Sequence, residues 1–153
     1  MGTQDFNLEK LHGFFFEDLK IGMWDLFSKT ISQADIVLYS GLSGDTNPIH
    51  LDKNFAQKTI FQSQVVHGML TASLISTVIG TKMPGPGCIY VNQSLQFKAP
   101  VRIGDTVTAI AEIKKLIPSK NYIQLSTNCS VHDKVVLDGE ATVLVPSKAI
   151  KKY

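Results

Sequence analysis

The spacing of apolar residues changes near Cys88: helical period dominates before it and strand-like alternation after it. Met23 to Ile31 mixes Trp24, Leu26, Phe27 and Ile31 with polar residues and predicts a short strand. Ser32 followed three positions later by Asp35 has the form of a reciprocal helix cap. Ala34, Val37, Leu38 and Leu42 then recur at helical spacing, predicting a helix to about Gly41. Asp52 is placed to cap a short helix through Phe55 and Ala56. Gly68 to Gly80 has no charged side chain, and its apolar and small residues fall on every side. That pattern predicts a central helix buried all round, too short to cross a bilayer, with Gly80 as its C-terminal cap.

Met83-Pro84-Gly85-Pro86-Gly87 breaks the helical pattern; it lacks the Lys-Ser/Thr ending of a phosphate-cradling loop and reads as a turn. From Cys88 onward, Ile89, Val91, Leu95 and Phe97 share a face, then Val107, Ala109, Ala111 and Ile113. Turn residues at 100–105, at 118–121 and at Asp138-Gly139 divide the remainder into strand-like stretches, the last carrying Ala141, Val143 and Val145. Strands that follow one another without crossover helices predict an antiparallel meander. One buried helix and one sheet then make an α+β domain in which the sheet wraps the helix.

The 153 residues, 44% hydrophobic and 18% charged, suit one domain over 1–153 and leave no room for a second. A net charge of +2 spread along the chain lacks the concentrated basic surface that nucleic acid or an anionic membrane demands, so neither is an expected partner. Cys88 and Cys129 stand far apart, outside any metal-ligand spacing, and read as reduced core thiols. Asp5, Glu9, Glu17 and Asp18 make the beginning too acidic for a signal or transit peptide, so a cytoplasmic location is expected.

Two polar clusters flank the central helix. In Ser43-Gly44-Asp45-Thr46-Asn47-Pro48-Ile49-His50, Pro48 fixes its own φ and pushes Asn47 out of the helical region. The bent segment can bring Asp45 and His50 to one point, where a carboxylate and an imidazole could hold a water and exchange its protons. Asp-x-Asn-Pro is also ordinary turn vocabulary, with side chains bonding local amides. The second cluster, Val65-Val66-His67-Gly68-Met69, opens the predicted helix. Its free amides can receive an oxyanion, and Gly68 permits close approach; equally, His67 can satisfy a buried carbonyl and Gly68 can serve packing alone.

Together these two motifs, with Gln93-Ser94-Leu95-Gln96-Phe97-Lys98-Ala99-Pro100-Val101 and Gly104-Asp105, resemble the (R)-specific enoyl-CoA hydratases of the MaoC-like dehydratase family. The resemblance runs from about Phe16 to Pro146 and leaves residues 1–13 as a peripheral extension. It implies a hot-dog fold, a curved antiparallel sheet around one long helix. It also implies catalytic roles for Asp45, His50 and the Gly68 amide, with Asn47 and His67 meeting substrate or water. No metal and no separate cofactor are implied, because the thioester itself accepts the developing charge and coenzyme A, or the arm of an acyl carrier protein, is part of the substrate. A homodimer is the implied assembly. Alternatives are a 3-hydroxyacyl-carrier-protein dehydratase, a more distant hot-dog thioesterase, or an acyl-CoA-binding module without catalysis.

Overall fold

The computed structural model describes residues 11–149. Strand β1 (Trp24–Thr30) is followed by helix α1 (Gln33–Ser43), the short helices α2 (Pro48–Leu51) and α3 (Lys53–Gln57), and the long helix α4 (Gly68–Thr81). Strands β2 (Ile89–Gln93), β3 (Gln96–Phe97), β4 (Thr106–Ile117), β5 (Tyr122–Val131) and β6 (Lys134–Leu144) complete the fold. The sheet is 6-stranded and antiparallel, ordered β1-β4-β5-β6-β2, with β3 added to β6.

Alternation on the long strands builds the core. Val107, Ala109, Ala111 and Ile113 of β4 and Ile123, Leu125, Thr127 and Cys129 of β5 are buried, while their neighbours are not. Against them α4 sets Thr71, Ala72, Leu74, Ile75, Val78 and Ile79. Each large aliphatic side chain removed from water here contributes about 1.5–3 kcal/mol. Register shifts at Tyr90/Asn92, Ile113/Lys115 and Cys129/Ser130 mark bulges, which bend the sheet around the helix.

The predicted elements are present, with differences in strand order, in one turn and in the helix faces and ends. Only β4, β5 and β6 form a meander, because β2 and β3 pair with β6 at the opposite side from β1. Asp138-Gly139 is no turn: Gly139 lies inside β6, paired with Thr127, and a Cβ there would stand 1.8 Å from the Ser94 carbonyl oxygen. Glycine is required by that crossing backbone, and the chain reverses instead at His132 and Asp133, whose φ of 45° and 62° match the left-handed residues of a hairpin turn. Helix α4 is not buried all round, since Met69, Ser73, Ser76 and Gly80 form an exposed face. Gly80 lies within α4 and does not end it; the helix continues to Thr81 and Lys82 is its C-cap.

Helix α1 extends to Ser43, two residues beyond expectation, because Gly44 adopts the left-handed cap at φ 77° and donates its N–H to the Ser40 carbonyl at 2.9 Å. Residues 1–10 of the expected N-terminal extension lie outside the described residues. Those just after them dock on the Met83–Gly87 turn, where Gly13 and Phe14 donate to the Pro86 and Pro84 carbonyls at 2.9 and 2.8 Å.

Candidate active site

Three connections converge where α1 ends and α4 begins. The 44–47 loop leaves α1 through the Gly44 cap and is folded by its own side chains: Asp45 accepts the Asn47 N–H at 3.2 Å, and Asn47 accepts the Ile49 N–H at 3.2 Å. Asn47 is thereby the N-cap of α2, with Pro48 in its first turn, where a missing N–H removes nothing. One turn of helix then presents His50 on the side facing α4.

His50 is oriented by the chain leading into α4. Its Nδ1 lies 2.7 Å from the Val65 carbonyl. A carbonyl only accepts, so Nδ1 carries a proton, and in the neutral ring the lone pair is on Nε2. The His50 backbone carbonyl is in turn held by the Gln64 side-chain amide at 2.9 Å.

His67, the N-cap of α4, is only 1% exposed. Its Nε2 lies 3.0 Å from the Asp45 carbonyl and 3.3 Å from Ser40 Oγ, and its ring stacks on His50 at 3.8 Å between centroids. Atoms of Asp45, His50 and His67 able to ligate a metal lie within 4.8 Å of one another. The stacked rings lie in planes only 29° apart with centroids 3.8 Å from each other, so no point close to both rings lies in both ring planes, as one ion ligated by the two imidazoles would require. The spacing of these ligating atoms suits a water, which can bridge two acceptors up to roughly 5.5 Å apart through two ordinary hydrogen bonds.

A cavity of about 410 Å³ opens beside this cluster, walled by Ile49, His50, Phe61, Val65, Val66, Gly68, Thr71, Phe97, Lys98, Ala99, Pro100, Val101, Val136 and Leu137. His50 and Gly68 thus face a common, largely apolar space, the environment in which a fixed charge or dipole acts most strongly. The side chain of His67 makes no capping bond, so the amides opening α4 are left to other acceptors. Phe97 covers Gly68 so closely that a Cβ there would come within 2.7 Å of Phe97 Cε1.

Of the residues singled out in the sequence, Asp45, His50 and His67 come together, and Gly68 joins His50 on the cavity wall. Asn47 and His67, expected to meet substrate, do not line the cavity: one caps α2 and the other is enclosed behind His50. Sequence reasoning missed Phe61, Val136 and Leu137 as wall residues, since they come from a loop and a strand distant in sequence. Phe97 carried a signal, because it stands within the Gln93–Val101 motif.

Comparison with known proteins agrees with this architecture. The family model described as MaoC like domain matches residues 24–135. The chain is 55% identical over 134 residues to an (R)-specific enoyl-CoA hydratase of Rhodospirillum rubrum, spanning 88% of this chain and 93% of the relative. It is 49% identical over 141 residues to a 3-hydroxybutyryl-CoA dehydratase of Methylorubrum extorquens, spanning 92% and 90%. The solved structure of the (R)-hydratase from A. caviae superposes with a TM-score of 0.82 at 41% identity, covering 85% of this chain and 99% of that one. With its sheet curved around α4 and its motifs gathered at the start of that helix, this chain belongs to the MaoC-like dehydratase family and has the hot-dog fold.

Proposed function

We propose that the protein is a hydro-lyase that reversibly hydrates trans-2-enoyl-CoA to (R)-3-hydroxyacyl-CoA. The observation that carries this reading is the placement of His50 and Gly68 on one apolar cavity, with the Asp45 carboxylate near the imidazole. Water held between Asp45 and His50 Nε2 adds through its oxygen to C3. One of its protons passes to Nε2 and is then delivered to C2, so the hydroxyl and the hydrogen of one water end on adjacent carbons. Asp45 orients the water and balances the charge on the imidazolium.

As C3 is attacked, electron density moves through C2 onto the thioester oxygen. The amide of Gly68, at the positive end of a 14-residue helix, donates to that oxygen. One such donor is worth about 3 kcal/mol of transition-state stabilisation. The relatives named for hydration or dehydration of CoA thioesters support the choice of substrate. The thioester provides the electron sink, so the route needs no separate cofactor.

The working assembly proposed is a homodimer. Strand β2, at the edge of the sheet formed by the described residues, exposes Ile89, Tyr90 and Val91, and such an edge accepts a second copy. A cytoplasmic location fits the free cysteines Cys88 and Cys129.

Incubation with crotonyl-CoA tests the function. The expected result is loss of the conjugated enoyl absorbance with formation of (R)-3-hydroxybutyryl-CoA and no free thiol. An (S) product, or thiol release without hydration, contradicts it.

A further inference from the structure

We propose that His67 is a positioning residue, which holds the His50 ring by stacking and the Asp45 backbone by a hydrogen bond without touching substrate. This rests on the acid-base reading of Asp45 and His50 given above.

Three observations carry the inference. His67 is enclosed, and although Val66 and Gly68 on either side of it line the cavity, His67 does not. Its Nε2 lies 3.0 Å from the Asp45 carbonyl, so that nitrogen is the donor and ties the catalytic loop to the first turn of α4. Its ring is held between Tyr39, at 5.0 Å between centroids, and His50, at 3.8 Å. A single side chain therefore connects α1, the 44–47 loop, α2 and the helix whose amide faces the substrate.

The chemistry explains why a histidine occupies the position. An aliphatic residue would fill the space but leave the Asp45 carbonyl without its donor; an acyclic amide would supply the donor but not the flat face. The other nitrogen, Nδ1, is buried and meets no hydrogen-bond partner among the described residues, so the polar contacts of the ring run through Nε2. Stacking sets the plane of His50, and the Val65 carbonyl sets its rotation within that plane, so Nε2 is delivered to one point.

Loss of such alignment affects the chemical step more than binding, and a misplacement of about 1 Å lowers turnover by up to roughly 100-fold. His67→Ala is expected to reduce kcat by about that factor with KM nearly unchanged. His67→Gln retains a donor toward Asp45, and His67→Phe retains the stacked face; each is expected to recover part of the loss. In a His50→Ala background, His67→Ala should cost less than it does alone, because one of the two groups it positions is gone.

Nitrogen-resolved NMR of the histidines in the unmodified protein supplies a readout independent of variant folding. His67 should show a protonated Nε2, and addition of 3-hydroxybutyryl-CoA should shift the ring nitrogens of His50 far more than those of His67. A raised KM with unchanged kcat, full additivity with His50→Ala, or a His67 shift equal to that of His50 overturns the positioning role. Near-native turnover in His50→Ala alone would instead overturn the acid-base reading of Asp45 and His50.

Discussion

Gly139→Ala is predicted to destabilise the fold by about 3 kcal/mol, although the substitution adds only one methyl group. The added Cβ would lie 1.8 Å from the Ser94 carbonyl oxygen and 2.7 Å from its carbon, and both are backbone atoms that cannot rotate away. Relief requires Ser94 to move by more than an ångström. Ser94 donates its N–H to the Glu140 carbonyl at 2.9 Å, and its hydroxyl accepts the Glu140 N–H at 3.0 Å. Two hydrogen bonds at about 1 kcal/mol each and about 1–3 kcal/mol of overpacking oppose the variant. The reduced freedom of alanine in the unfolded chain returns about 0.4–1 kcal/mol. With a denaturant slope of about 1–3 kcal/mol per molar, the urea midpoint should fall by roughly 1–3 M. Gly41→Ala is the control: it lies in α1 with nothing near its added Cβ, and should be neutral or stabilise by up to about 1 kcal/mol. A Gly139→Ala midpoint indistinguishable from wild type would refute the close crossing of residue 94 over β6.

Gly68→Ala keeps its backbone N–H but forces the Phe97 ring, a 56% exposed side chain with room to rotate outward, to shift. Stability should change by less than about 1.5 kcal/mol while kcat falls by about 10-fold or more, measured by urea titration beside the hydration assay. Asp35 is held at a pKa of about 2, below the usual 3.8, first by hydrogen bonds from the Ser32 backbone and side chain and then by Lys29. A depressed carboxylate stabilises the fold above its unfolded pKa and loses that contribution as pH falls through the folded value. Asp35→Ala should therefore cost about 1 kcal/mol near pH 7, with the difference from wild type shrinking between pH 3.8 and about 2; a pH-independent difference would contradict the cause assigned. Burial pushes the Cys129 thiol up to about 12, so alkylation should reach Cys129 only in urea, and rapid labelling of the native protein, read by mass spectrometry, would contradict its enclosure.

Local chemistry made much of this legible. Ser32 and Asp35 form the reciprocal cap their spacing implies, and Asp52 accepts two first-turn amides of α3. Asp45 and His50 were readable because a proline-bent segment keeps them adjacent, so their meeting depends on few other residues. Properties set by distant parts of the chain were not readable. Gly139 carries the composition of a turn, but its role is decided by Ser94 crossing above it. Gly80 looks like a helix end, yet Val78 and Ile79 are anchored in the core and carry α4 past it. Asn47, by contrast, makes the local bond that Asp-x-Asn-Pro implies: its side-chain oxygen accepts the Ile49 N–H and starts the helix that presents His50. The full absence of charge in α4 marks a central helix but cannot tell a face packed on its own sheet from the one left open at Met69, Ser73 and Ser76.

The most direct test of the account is steady-state hydration of crotonyl-CoA by Asp45→Asn and by His50→Ala, each verified as folded by its urea midpoint. Both should lose about 10²–10⁴-fold in kcat/KM, the range for removal of a positioned acid-base group. If either folded variant retains activity within about tenfold of wild type, far above what loss of such a group allows, Asp45 and His50 do not handle the water as proposed.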